Sequence, residues 1–380
     1  MNLVFYADTI EEINDLYYQG ILEVILSPKN LASFGTQDFA QIQECLCFSK
    51  EIGVTAVIEW DILMTEESFS RCAFEVLKYY DEGANIFRVR DTGAIYFIKE
   101  KTKAHIDLIQ GHFNQNMDAI LFWQSYLTNR LRKLVVSQEA TFEFIKKIKT
   151  HTCLELEVML LGKILMSYTP RRLLTKYSGN NQGITEVYPL EGPAEKFEAL
   201  QNNHGTFLFY SKDFSLFDSV QELIDINLDA FRVDLRFSKD ATVYADIIKY
   251  LHTLDLAVLE QVKTKYKHDL TNGFYPSNSS DKIFQKLKNE HLKITSGKFV
   301  GEVIDVKKDE FVGVLLKGEH AIDKKSRLYI ITPDGRKKNP KLSFLKNTSW
   351  QEIDHSDHEC IVYFNYVGGV TFKSLVFVKD

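Results

Sequence analysis

The sequence predicts an α/β protein: a (β/α)8 TIM-like barrel followed by a small all-β barrel domain. Three observations lead there. Over the first 265 residues, eight short β-like runs alternate with longer amphipathic segments, the order that builds a parallel sheet with helices outside it. No G-x-G-x-x-G follows the first run, which weakens the alternative of an open dinucleotide-binding sheet. From Gly297 the runs shorten and alternate between turn signals, as in a small barrel or sandwich.

The eight runs are "NLVFYAD", "EVILSP", "TAVIEWD", "NIFRVRD", "HIDLIQ", "KLVVSQE", "LELEVMLL" and "DAFRVDLRF". Thr9-x-x-Glu12 reads as a capping box opening the first helix, with Ile13, Leu16 and Tyr17 on one face. The last helical segment, 240–266, places Val243, Ile247, Leu251, Leu254 and Val258 at helical spacing. An insertion, 163–212, separates strands seven and eight; its "SGNNQG" and "NNHG" are loop signals. The expected division is a barrel over 1–265, a turn-rich connector over 266–295 and the β-barrel domain over 296–380. In that domain the runs are "FVGEVIDV", "EFVGVLL", "RLYIIT", "KLSFL", "CIVYFNY" and "TFKSLVFV", with turns at Pro333-Asp334-Gly335 and Gly368-Gly369.

The five cysteines are odd in number and scattered, and no C-x-x-C occurs; reduced thiols are expected rather than a disulfide framework. No apolar run reaches bilayer length. Asp8, Glu11 and Glu12 interrupt the N-terminal apolar run, so a cytoplasmic location with no membrane partner is expected. The net charge of −6 is uneven: residues 296–380 carry 14 Lys and Arg against 12 Asp and Glu. Lys324, Lys325, Arg327, Arg336, Lys337, Lys338, Lys341 and Lys346 are opposed within their own stretch only by Asp334. They are the nucleic-acid candidates, and a solvated basic face explains them equally well.

Active groups of such a barrel gather at the C-terminal ends of its strands. Asp8, Asp61, Asp91, His112, Glu139 and Arg236 fall there, whereas His105, His151 and Cys153 fall at strand beginnings. The carboxylates and His112 could hold a divalent metal, but capping and loop solvation account for the same residues; no metal is expected. "DHSDHEC" would bring His355 and His358 together only if that loop were helical. No H-E-x-x-H or G-x-S-x-G occurs, and no cysteine sits on the expected active face, so the residues give no independent support for proteolysis.

Four segments carry a resemblance: "FRVRDTGAIYFIKE", "LELEVMLLGKILMSYTPRRLL", "GTFLFYSKDFSLFDSVQELIDINLDAFRVDLRFSK" and "LTNGFYPSN". In order and spacing they resemble the collagenase-like U-32 peptidase family, and the C-terminal segment is similar to the translation-factor-like barrel of some members. The resemblance implies RNA or quinone-ring hydroxylation chemistry, often with a [4Fe–4S] cluster on four cysteines; the peptidase label is older. The first two cysteines would align with Leu165 and Arg172, the next pair near Thr185 and Pro189, and none is cysteine here. Such residues supply no thiolate, so the resemblance implies a member without the cluster. Asp91, Glu157, Arg171, Asp213 and Arg236 stand at matching family positions. With Arg172 they are the ligand-binding candidates. Arg171, Arg172 and Arg236 are expected to meet at the barrel mouth and to bind a small carboxylate or phosphate.

The leading reading is a cluster-less factor in RNA modification, with RNA and a cluster-bearing paralogue as its partners. An active collagenase-like peptidase and a small-acid-binding protein or enzyme stay open, as does whether the chain is itself catalytic.

Overall fold

The computed structural model describes residues 2–111, 115–175, 184–188, 196–237, 241–266, 268–276, 297–317, 321–357 and 360–378, with no side-chain description at 241 and 242. The chain forms two compact units, Met1–Ser277 and Asn278–Asp380.

The first unit contains a closed barrel. Strands β1 (Asn2–Tyr6), β2 (Glu23–Leu26), β3 (Thr55–Trp60), β4 (Ile86–Val89), β5 (His105–Ile109), β6 (Leu131–Val135) and β7 (Glu155–Thr169) pair in parallel, each with the next. The eighth barrel strand, β11 (Ala230–Val233), pairs in parallel with both β7 and β1 and closes the ring. All eight sequence runs are barrel strands. Helices α1 (Ile10–Tyr18), α2 (Phe39–Ile52), α3 (Glu66–Asp81), α4 (Thr92–Lys101), α5 (Met117–Leu127) and α6 (Phe142–His151) follow strands one to six. The main apolar core lies between this helical layer and the sheet, with Phe5, Trp60, Phe87, Ile106, Leu134 and Phe231 fully buried.

Local chemistry starts these helices where the sequence suggests. Thr9 accepts a hydrogen bond from the Glu12 amide, while the Glu12 side chain accepts from Asp8 N at 2.6 Å. Asp38 and Gln41 form a complete capping box on α2. The last helical segment is two helices, α8 (Ala241–Thr253) and α9 (Leu256–Lys265), after a short α7 (Val220–Asp225). Leu254 sits between α8 and α9 at φ 52°, and Asp255 caps α9. The apolar spacing continues through this break, so periodicity alone reads it as one helix.

The insertion is mostly sheet. Strand β7 runs on past the barrel to Thr169, and β10 (Gly205–Ser215), β9 (Phe197–Asn202) and β8 (Thr185–Val187) add to it antiparallel. The "NNHG" turn joins β9 to β10; "SGNNQG" lies outside the described residues. Gly205 is obligatory there: φ is +130° and a Cβ would lie 2.0 Å from the Thr169 carbonyl oxygen. Beyond the last helix, β12 (Leu270–Thr271) pairs with β10.

The second unit is a seven-stranded antiparallel sheet in the order β16-β15-β19-β13-β14-β18-β17. Its strands are β13 (Lys298–Lys307), β14 (Phe311–Leu316), β15 (Leu328–Ile331), β16 (Lys337–Lys338), β17 (Leu345–Lys346), β18 (Ile361–Asn365) and β19 (Leu375–Val378). Val300, Val303, Val312, Val314, Val362, Phe364 and Val376 form its core. No helix among the described residues is long and apolar enough to cross a membrane.

Candidate functional site

Each barrel strand sends alternate residues inward, and in many barrels of this kind those positions are branched aliphatics. Here Val4, Tyr6, Ile25 and Ala230 form a small apolar cluster, but every barrel strand except β1 also places a charged residue inside: Glu23, Glu59, Arg88, Asp107, Lys133, Glu157 and Arg232. At the lower end Glu23 receives Arg132 at 2.7 Å and Lys133 at 2.6 Å, and Arg132 also pairs with Asp107. In the middle, fully buried Glu157 meets Arg88 at 2.7 Å, Arg232 at 3.1 Å and Lys133 at 3.4 Å. At the upper end Glu59 lies 3.5 Å from Arg88 and 3.1 Å from Arg236, and Arg236 donates to Asp234 at 2.8 Å. Five cations thus face five carboxylates in one connected column, with formal charges in balance.

The carboxylates respond differently to this field. Burial alone would raise Glu157, but Arg88, Lys133 and Arg232 outweigh it and bring the carboxyl down to about 2. Burial also opposes ionisation of Glu23 and Asp234, yet Arg132 holds the first and Arg236 the second below the usual range. At Glu59 burial wins, helped by Asp61, and its pKa rises despite Arg236 and Arg88. Asp107 is likewise raised by burial, against the pull of Arg132.

The mouth beside β1 is a cavity of about 300 Å³ whose walls include Tyr6, Asp8, Glu12, Tyr18, Arg236 and Tyr244. Tyr6 donates to Glu59 at 2.8 Å, and the Arg236 guanidinium stacks over its ring at 3.5 Å. Arg236 therefore floors the cavity with its charge already met by Asp234 and Glu59.

The other sequence candidates go to different places. Asp91 caps α4, accepting from the Ala94 amide at 2.9 Å. Asp213 is buried between Lys163 at 3.2 Å and the Tyr266 hydroxyl at 2.5 Å. Arg171 and Arg172 are exposed beyond the end of β7, and Arg172 donates to Asn203 at 3.3 Å. Neither shares a partner with Arg236 among the described residues. The extension of β7 by eight residues beyond Leu161 carries them outward along the added sheet.

Of the carboxylates weighed as metal ligands, Asp61 accepts from the Ser33 amide and lies 3.7 Å from Arg90, and Glu139 accepts from Gln115. His112, His358 and Pro189 lie outside the described residues. His355 forms an extended bridge to Asp323, not a helical turn. Among the described residues no three His, Cys, Asp or Glu side chains group as metal ligands would.

The position where the family resemblance implies the first thiolate is apolar. Leu165 pairs with Phe209 and packs against the buried cluster of Leu200, Phe207 and Phe209, on which Phe34, Tyr168 and Phe237 also pack. Tyr168 stacks on Phe207 at 4.3 Å, and Phe34 lies 4.8 Å from Phe207 and 5.0 Å from Phe237. No cysteine occurs between Cys153 and Cys360. These residues do not fit an iron–sulfur cluster.

In the second unit, folding reduces the apparent basic excess. Lys324 pairs with Glu352 at 2.7 Å and lies 3.8 Å from Asp354, both from outside the basic stretch. Arg336 pairs with Asp334 at 2.9 Å, and Lys337 lies 3.9 Å over the Tyr329 ring. Lys325, Arg327 and Lys341 are exposed, while Lys338 is half-buried.

Sequence reasoning found Glu157 and Arg236 but missed Glu23, Glu59, Arg88, Asp107, Arg132, Lys133, Arg232 and Asp234. The signal was present: nearly every barrel run carries a charged residue in phase with its inward positions, as in "FRV", "HIDLI" and "FRVD".

The chain is similar to tRNA hydroxylation protein P of Escherichia coli (strain K12), 21% identical over 67% of this chain and 68% of that protein. It is similar to tRNA hydroxylation protein P1 of Bacillus subtilis (strain 168), 20% identical over 51% of this chain, and spans about half of that protein's length (50%). Among solved structures, the phospho-2-dehydro-3-deoxyheptonate aldolase of Thermotoga maritima superposes with a TM-score of 0.38 and 10% identity, covering 71% of this chain and 72% of that one. Residues 9–292 match the profile of peptidase family U32, and the chain belongs to that family.

Proposed function

We propose that this chain serves RNA hydroxylation without carrying an iron–sulfur cluster of its own, as an RNA-binding subunit beside a cluster-bearing paralogue. The observation that carries the reading is the packing of Leu165 against the buried Leu200, Phe207 and Phe209, where the family resemblance implies a thiolate. An aliphatic side chain in an aromatic cluster cannot ligate iron. The similarity to two tRNA hydroxylation proteins supports RNA as the substrate class.

A peptidase reading gains little from the thiols. Cys45 and Cys72 are buried, and burial pushes both up to about 11, which keeps them protonated and unreactive. Cys47 and Cys153 are exposed on a helix and at a strand beginning, away from the mouth.

The test has two arms. Protein purified without oxygen should be colourless and hold no stoichiometric iron or sulfide. Nucleoside mass spectrometry of RNA from cells lacking the chain should show the loss of a hydroxylated nucleoside. A brown protein with stoichiometric iron would remove the cluster-less reading, and an unchanged nucleoside profile would remove the RNA-hydroxylation reading.

A further inference from the structure

The outer face of the second unit carries a built aromatic surface. Its sheet alternates, with Val312, Val314, Val362 and Phe364 in the core, so Phe311, Gly313 and Tyr363 point the other way. Gly313 is opposite Tyr363 in the ladder, and a Cβ there would lie 2.9 Å from the Tyr363 ring. The missing side chain lets that ring lie across the strand. Trp350 stacks on Tyr363 at 5.1 Å and 17°. Phe311 meets both rings edge-on, at 5.0 and 5.3 Å.

Trp350 is held there against its backbone preference. It stands at φ 62° in a tight turn, a conformation that ordinarily takes Gly or Asn. The Asn347 carboxamide accepts from the Ser349 and Gln351 amides, each at 3.0 Å, and fixes the turn. Yet Trp350 remains 48% exposed. A large ring in a strained turn, still half in solvent, is a poor use of a tryptophan for packing alone.

The charge beside it is positive. The Lys346 ammonium lies 5.3 Å from the Trp350 ring and 5.2 Å from the Phe344 ring. Glu352, bridged to Lys346 across the turn, gives its carboxylate to Lys324 instead. No ion pair occupies Lys346 or Lys341 among the described residues. A half-exposed indole with an ammonium beside it that makes no ion pair among the described residues suits one kind of ligand: a base with its phosphate.

We propose that the exposed Trp350, backed by Tyr363 and the buried Phe311, forms a stacking platform for an unpaired base of single-stranded RNA, with Lys346 contacting the adjacent phosphate. The inference rests on the RNA reading above and assigns it a contact surface. A duplex hides its base faces, so double-stranded RNA of equal length should compete poorly.

The full chain allows a direct test, because Trp60 and Trp123 are buried (0% and 7% exposed) and Trp350 is the exposed tryptophan. Titration with a 12-nucleotide oligouridylate should quench tryptophan emission. Trp350→Ala should abolish the quench and weaken binding, read by anisotropy of labelled RNA, about tenfold or more. Trp350→Phe should retain most of the affinity, which guards against loss through misfolding. Lys346→Gln should lower the steepness of the salt dependence by about one counterion. Bulk tRNA serves as the second probe. If the wild type binds RNA and Trp350→Ala binds it equally, the platform is overturned and the RNA reading stands. If the wild type binds neither RNA, both fall. A quench that grows with protein concentration alone would assign the surface to a second copy of this chain and overturn the proposal.

Discussion

Replacing Glu157 with Gln keeps the side-chain volume and removes one charge from the centre of the barrel. Arg88, Lys133 and Arg232 all lean on that carboxylate. Without it, the column's five cations face four carboxylates, and Arg88 and Lys133, which lean on Glu157, are almost fully buried. Two routes give the cost. Removing one partner of a buried ion pair costs about 3–5 kcal/mol, because the remaining charge is left uncompensated. Independently, the carboxyl falls from 4.5 to about 2 on folding, which at about 1.4 kcal/mol per pH unit is about 3 kcal/mol of stability at neutral pH. The two agree to the precision either allows. At about 2 °C per kcal/mol for a unit of this size, Glu157→Gln should lower the melting temperature of the barrel by roughly 6–10 °C, followed by circular dichroism. The pH dependence has a definite sign. A depressed carboxyl stabilises above its unfolded pKa and loses that contribution as pH falls towards its folded value. The gap between wild type and variant should therefore be constant above pH 4.5 and close between 4.5 and about 2. Glu59, whose pKa is raised by burial, works in the opposite direction, so total stability will not track the gap. Adding Arg232→Met to Glu157→Gln should recover part of the loss, since Asp234 keeps Arg236 as its partner. A fall of less than about 2 °C, or a double variant worse than both singles, would show that the column is not held by charge balance at Glu157.

Three further outcomes follow from local geometry. Asp91→Ala should destabilise the barrel by about 0.5–2 kcal/mol in urea unfolding, whereas Asp91→Asn should restore nearly all of it, because the side chain acts as the α4 cap; equal loss in both would point to a role for its charge. Gly205→Ala should be strongly destabilising or insoluble, since its Cβ would meet the Thr169 carbonyl at 2.0 Å and φ is left-handed; a wild-type melting curve would refute the turn geometry. A thiol reagent should modify exposed Cys47 and Cys153 promptly in the native protein, Cys360 more slowly, and Cys45 and Cys72 only on unfolding; early reaction at Cys45 or Cys72 would contradict their burial.

Much of the fold was legible because period and punctuation are local. Each of the eight β runs became a barrel strand, and Thr9 capped the first helix as expected, although Glu12 reaches back to the Asp8 amide and not to that of Thr9, so the capping box is not completed. The turn signals at Gly335 and Gly369 both mark positive-φ positions in the second unit. Where one local rule overrode another, the reading slipped: apolar spacing runs unbroken through Leu254, but Asp255 caps a new helix and the backbone turns there.

The site was less legible, because its defining relations are between strands. Sequence alone places one charged residue in phase in nearly every strand. It does not say that Lys133 reaches both Glu23 and Glu157, 110 and 24 residues away, since that depends on barrel closure and register. Arg236 read as a free cation at a strand end, but Asp234 two residues before it and Glu59 from β3 converge on it only once β11 and β3 stand in one ring. Leu165 and Trp350 make the same point from the apolar side. The chain alone determined that neither could be a thiolate or an ionic contact. That Leu165 would pack against Phe207 and Phe209, and Trp350 be laid on Tyr363 beside a glycine gap, was decided by tertiary packing, because a ring's neighbours are set by which strands pair and not by which residues adjoin it in sequence.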